Sequence, residues 1–239
     1  MQQQVQQDGL GLGHSQDAPI LIVALICLCL VAMLLDAQSN ALNAKTIALL
    51  GVLISINCML RFIGVAIPGP GGFTPIFFLI ILSGFVFGSR FGFLTGSLSL
   101  LTSAFITGGV GPWLPFQMFT AGWMGLTAGM LGSPAIKRLN ARARLVILVM
   151  FGASWGFLYG AIMNVWFWPF ADNPVQQSWQ SGLAFADVLS HYAAFYAVTS
   201  LVWDTFAALG NGVFLMVFGT AAVRVLERAQ RRFMFVSSS

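Results

Sequence analysis

Apolar residues run along this chain in long blocks, at positions 18–35, 46–66, 76–88, 91–107, 116–131 and 145–166, with a last block ending near Arg224. A spanning helix needs ~20 residues, with a range of about 17–25, so the blocks predict membrane helices. The third and fourth are short by that measure. Paired across Ser89 and Arg90, they predict a helical hairpin. Between the blocks lie a polar linker at 36–44 with Asn40 and Asn43, a Pro/Gly-rich turn at 68–75 and a basic loop at 133–144. A polar, aromatic segment at 168–192 reads as holding a helix in the membrane interface. Residues 1–17, rich in Gln and Gly, show no apolar periodicity and predict disorder. The chain is organised around residues 107–118, T-G-G-V-G-P-W-L-P-F-Q-M. Its glycines permit a sharp bend, and Pro112 and Pro115 stop one helix and restart another. Trp113 and Phe116 suit a membrane–water interface.

Composition agrees with a membrane protein: 58% of residues are hydrophobic and 8% charged, against roughly 25% charged in soluble domains. The first block competes with a signal peptide, but no Lys or Arg precedes Lys45, so the basic flank of a signal is missing. A spanning helix at 18–36 is expected instead. With the C-terminal tail in the cytoplasm and seven spans, Lys45, Arg90 and the loop carrying Lys137, Arg138, Arg142 and Arg144 all fall inside. Of the 11 basic residues only Arg61 does not. The expected topology is N-terminus outside and C-terminus cytoplasmic, with a membrane domain at 44–226 and a basic tail at 227–239. Glycines and other small residues recur at four-residue spacing, as at Gly84, Gly88, Gly92 and Gly96, where close helix packing is the expected role. The cysteines lie in apolar blocks and read as small buried hydrophobes.

Arg61 is the costly residue. It sits about 22 Å along a helix from Thr46, in the outer third of a core ~30 Å thick. Asn57 is one turn away on the same face. Asp204 approaches the same leaflet, as do Gln117, Asn164, Trp166 and Trp168. Two readings stand side by side: a structural Arg61–Asp204 pair or a snorkelling Arg61, and a polar floor under an outward-facing cavity. No catalytic site is expected. His14 and His191 are in outside segments, Asp187 and His191 read as a solvated helix face, no metal-ligand cluster lies in the bundle, and no G-x-x-x-x-G-K-[ST] phosphate loop is present.

The run G-G-F-T-P-I-F-F-L-I-I-L-S-G-F-V-F-G-S-R-F-G-F-L-T-G at 71–96, with T-G-G-V-G-P-W-L-P-F-Q-M-F-T-A-G-W-M-G-L-T-A-G at 107–129, resembles the substrate-binding S component of energy-coupling factor (ECF) transporters. The resemblance extends more loosely from Ala44 to about Arg224. It implies an all-α integral membrane protein with a six-helix core, to which residues 18–36 add one extra N-terminal transmembrane helix. It further implies capture of a vitamin or related micronutrient on the outer face of the cell membrane, with cobalamin the first guess and riboflavin or folate-like compounds open. The partners implied are a transmembrane coupling subunit and two ATP-binding cassette ATPase subunits. No cofactor, metal or nucleic acid enters this picture. The family's A-x-x-x-A docking spacing falls on Ala44 and Ala48. Its substrate-holding segments fall on Trp113, Phe116, Gln117, Asn164, Trp166, Trp168 and Asp204, to which burial adds Arg61 and Asn57. A stand-alone channel or facilitator, and a structural subunit of a larger membrane complex, are the alternatives.

Overall fold

The computed structural model describes residues 44–66, 75–171, 174–179 and 182–234, together with Ala24, Cys27, Leu28 and Val31. The expected disordered tail, most of the expected N-terminal span, and the 68–75 turn up to Pro75 lie outside the described residues. Among those described, every regular element is helical. In chain order they are α1 (Ala44–Ala66), α2 (Ile76–Phe87), α3 (Ser89–Thr107), α4 (Leu114–Leu131), α5 (Pro134–Lys137), α6 (Ala141–Phe167), α7 (Phe185–Thr199) and α8 (Leu201–Met234). Two single 3₁₀ turns, Trp168–Phe170 and Val175–Gln177, link α6 to α7.

α2 is the centre of the bundle. It is apolar on every side, which is the pattern of a helix enclosed by others. Ile80, Ile81, Leu82 and Phe85 are fully buried. At 12 residues it extends about 18 Å, too short to cross a membrane core unaided. The expected hairpin is present: α2 meets α3 across Gly88, whose φ of 100° is open to glycine and strained for other residues. Gly108, at φ 67°, closes α3 in the left-handed conformation. α4 follows after the short bend, with Pro115 in its first turn.

Glycines set how closely these helices approach. A Cβ on Gly92 would run into the Gly125 carbonyl oxygen, and one on Gly125 into the Gly92 carbonyl oxygen. Gly96 sits in the same way against Ala121, and Gly84 against Gly125. The four-residue spacing is therefore a packing seam between α2, α3 and α4, as expected for small residues in a bilayer. A second seam joins α6 to α8. There Gly152, Gly156 and Gly160 face Leu215, Ala208 and the Asp204 carboxylate.

Among the described residues three helices, α1, α6 and α8, are long and apolar enough to cross a membrane by length and composition. α3 and α4 dilute their apolar residues with Ser, Thr and Gly, so the seven expected spans are not each separately evident. The outward surface is heavily apolar, with Met59 67% and Phe105 70% exposed, as a lipid-facing wall requires. The last apolar block ends near Arg224, but the helix that carries it, α8, continues through polar turns to Met234. The reason is visible in its extra turns. Glu227 pairs with Arg144 at 3.1 Å, and Gln230 donates to the Val86 carbonyl at 2.9 Å. Lys137 donates to the same carbonyl at 3.2 Å. Together they satisfy the open C-terminal end of α2. Burial holds Lys137 below the usual lysine range, with Glu227 opposing.

The glycine seam makes a direct prediction. Gly92→Ala should destabilise the detergent-solubilised protein by about 1–3 kcal/mol through overpacking. Gly51→Ala, where a Cβ meets nothing within 4 Å, should leave the melting temperature unchanged or raise it. Equal melting of the two variants would show that the seam does not limit helix approach.

Candidate functional site

At the end of the bundle away from the basic loop, the C-terminal turns of α1 meet the first turn of α2, the middle of α3, the start of α4 and the upper part of α6. A cleft of about 230 Å³ opens there, lined by Arg61, Gly64, Val65, Ile76, Phe77, Leu100, Gln117 and Tyr159. The volume lies just below the roughly 300–1,000 Å³ usual for small-molecule sites. Arg61 is half-buried and makes no ion pair or hydrogen bond among the described residues. Gln117 lines the same cleft, and its Oε1 is buried without a partner. The Phe77 and Tyr159 rings pack against one another at 4.6 Å between centroids and form an aromatic wall. Below Arg61, Asn57 is fully buried, and its Nδ2 donates to Ser99 Oγ at 3.1 Å. The Asn57 Oδ1 is unpartnered.

Asp204 belongs to a different cluster. It accepts a hydrogen bond from Tyr196 at 2.8 Å and lies against Gly160. Tyr192 donates to the Ala161 carbonyl, and Asn164 donates to Ser200 at 2.6 Å. α7 is thus strapped across the ends of α6 and α8 by two tyrosine hydroxyls. Burial, and then the nearby Asp204 carboxylate, pushes Tyr192 up to about 12. Burial, its hydrogen bond to Asp204 and that carboxylate's charge also raise Tyr196. The Trp168 indole donates to the Gln177 carbonyl at 2.7 Å and packs edge-on against Tyr192 at 5.2 Å. A helix is present in the segment expected to hold one: α7 begins at Phe185 and runs beyond Tyr192 to Thr199.

The sequence-derived set therefore divides. Arg61 and Gln117 line the cleft, with Asn57 beneath. Asn164, Trp168 and Asp204 belong to the α6–α7–α8 strap. Phe116 and Trp166 pack together at 5.6 Å on the α4–α6 side. Trp113 lies exposed on its loop, its indole donating to the Gly109 carbonyl at 3.2 Å. Arg61 and Asp204 do not form the pair considered from sequence, because Tyr196 occupies the carboxylate and Arg61 faces the cleft. Ala44 and Ala48 sit on an exposed face of α1. Tyr159, Phe77 and Ser99 were missed. Each sits inside an apolar block, where a single polar or aromatic position carries no signal of its direction.

Two other openings are of a different kind. One of about 480 Å³ between α1 and α3 is walled by Met59, Phe62, Ile63 and Ile106. Another of about 300 Å³ lies between α6 and α8. Both have apolar walls on the outward surface of the bundle and bring no charged side chain inward.

The family model for the substrate-specific component of ECF transporters matches residues 45–219. Comparison with curated proteins and with solved structures gives no match.

Two double-mutant cycles read out the separation of the clusters. Tyr196→Phe with Asp204→Ala should show a coupling of about 1.5–3 kcal/mol in unfolding, as for a hydrogen bond to a charged group. Arg61→Met with Asp204→Ala should be additive to within ~0.5 kcal/mol. A large Arg61–Asp204 coupling would restore the pair that the geometry rejects.

Proposed function

Because the chain belongs to the family of substrate-specific components of ECF transporters, a family of membrane-embedded substrate-binding subunits rather than enzymes, we propose that it captures a micronutrient in the Arg61–Gln117–Tyr159 cleft. Capture takes place on the outer face of the cell membrane, and the ligand is then delivered inward. S components work with a coupling subunit and ATPases. In this chain the energy would come from two such ATPase subunits through the coupling subunit. The ends bearing Lys137–Arg144 and the C-terminal turns of α8 face the cytoplasm, in keeping with their basic residues. The core is six helices, α1 to α4 with α6 and α8, to which the segment at 18–36 would add an N-terminal span.

The observation that carries this reading is a cation without an ion pair among the described residues, in one cleft with an unpartnered amide oxygen, at the end opposite the basic loops. An intramembrane arginine is costly and is kept where it pairs, meets water or binds something. Asn57 supports the floor from below, and Phe116 with Trp166 closes the neighbouring α4–α6 flank. Trp113, Trp168, Asn164 and Asp204 act at the rim, in the loops and strap that border the entrance. Docking uses the exposed face of α1 around Ala44 and Ala48, where small side chains permit a partner helix to come close.

The test is binding and uptake measured in parallel. The purified chain is screened against vitamins, with cobalamin first and riboflavin and folate next. The complex with its coupling and ATPase subunits is then assayed for import in vesicles. Ala48→Trp should abolish ATP-driven import while the isolated subunit binds ligand as the parent does. Import at the parental rate, with the complex assembled, would remove α1 as the docking face.

A further inference from the structure

The polar groups in the cleft are not balanced against each other, and the imbalance describes the missing partner. Arg61 offers a planar fork of five N–H donors and no acceptor, and none is engaged by the described residues. Gln117 offers a buried acceptor with no donor. The cation and the amide oxygen share the cleft without satisfying each other. Tyr159 and Phe77 supply an aromatic face between them. Leu100, Val65 and Ile76 make the remaining walls apolar, which lowers the local dielectric and strengthens any charge contact made there. A neutral hydrocarbon ligand would leave both polar groups stranded, and a cationic one would meet Arg61 at close range. Among the described residues no carboxylate lines the cleft to offset that repulsion, and Asp204 is held by Tyr196.

We infer that the cleft selects an anion: a flat ring system bearing a carboxylate or phosphate for Arg61, with an N–H or O–H that donates to Gln117. The ring lies along the Phe77–Tyr159 wall. The anion takes the bidentate geometry that a guanidinium provides and an ammonium does not. This inference rests on the reading of the cleft as the substrate site. The same acidic chemistry could come from a lipid headgroup reached by a snorkelling Arg61, so the experiment separates solute from lipid.

The full chain is placed in phosphatidylcholine nanodiscs, and affinity and melting temperature are measured for matched pairs that differ in charge. The pairs are nicotinate with nicotinamide, biotin with its methyl ester, and riboflavin 5′-phosphate with riboflavin; thiamine serves as a cationic probe. In at least one pair the anion should bind about tenfold or more tightly than its neutral partner, the scale of a charge-assisted contact. Arg61→Gln should reduce the anion to the level of the neutral compound and leave the neutral compound unaffected. Arg61→Lys should recover part of the difference. Equal binding within every pair, equal weakening of both members by Arg61→Gln, or preference for thiamine overturns the anion class and leaves the cleft as a substrate site. An Arg61-dependent rise in melting temperature with phosphatidylglycerol, and with none of the soluble anions, assigns Arg61 to lipid and overturns the inference. Binding of no probe by the folded chain overturns both the class and the site.

Discussion

Close approach of the α3 and α4 backbones is the constraint on which the rest of the bundle depends. In a bilayer the hydrophobic effect does not pull helices together, because lipid tails are as apolar as the side chains. Association has to come from packing, and packing at backbone distance needs glycine. Gly92, Gly96 and Gly125 supply it, with Gly84 bringing α2 onto the same seam. Once these three helices are locked, α2 is enclosed, although it is too short to cross the membrane alone. Its buried C-terminal end then needs hydrogen-bond partners, and Lys137 and Gln230 provide them from two different elements. Its other end, with the start of α4, forms two sides of the cleft. The seam thus fixes the floor of the bundle and the geometry of its opening through one set of contacts.

The polar residues divide according to whether they are satisfied within the fold. Asp204, Asn164, Tyr192 and Tyr196 hold α7 across α6 and α8, and their hydrogen bonds are complete enough to read as structure. Arg61 and Gln117 line the cleft, Arg61 without an ion pair among the described residues and the Gln117 Oε1 buried without a hydrogen-bond partner. A buried group without a partner costs about 1–3 kcal/mol, so open groups that share a cavity are better explained by a ligand than by stability. Ligand binding would repay that cost, and the protein should gain stability when it is loaded.

Much of this was legible in the sequence, and what was not has a physical cause. Apolar block length placed α1, α6 and the hairpin, because length and hydropathy are what a membrane selects for. The residues at 71–96 and 107–129 carried the family resemblance, and the family match over 45–219 agrees with it. Depth along a helix brought Arg61 and Gln117 to one level, and both line the cleft. It also brought Asp204 to their level, but depth gives no azimuth. Asp204 points to Gly160 and Tyr196 across the α6–α8 seam, a direction that G-x-x-x-G-x-x-x-G at Gly152, Gly156 and Gly160 could have signalled. Tyr159 was hidden inside an apolar block, and the end of α8 was hidden by the polarity of its last turns, which are held by Arg144 and Val86 rather than by lipid.

The central claim is that the substrate sits between Arg61, Gln117 and Tyr159. A structure of the chain bound to its ligand tests this most directly. The account predicts ligand density in contact with the Arg61 guanidinium and the Gln117 amide, against the Phe77–Tyr159 wall. Density confined to the α6–α7–α8 strap around Asp204, or to the apolar groove between α1 and α3, would contradict it.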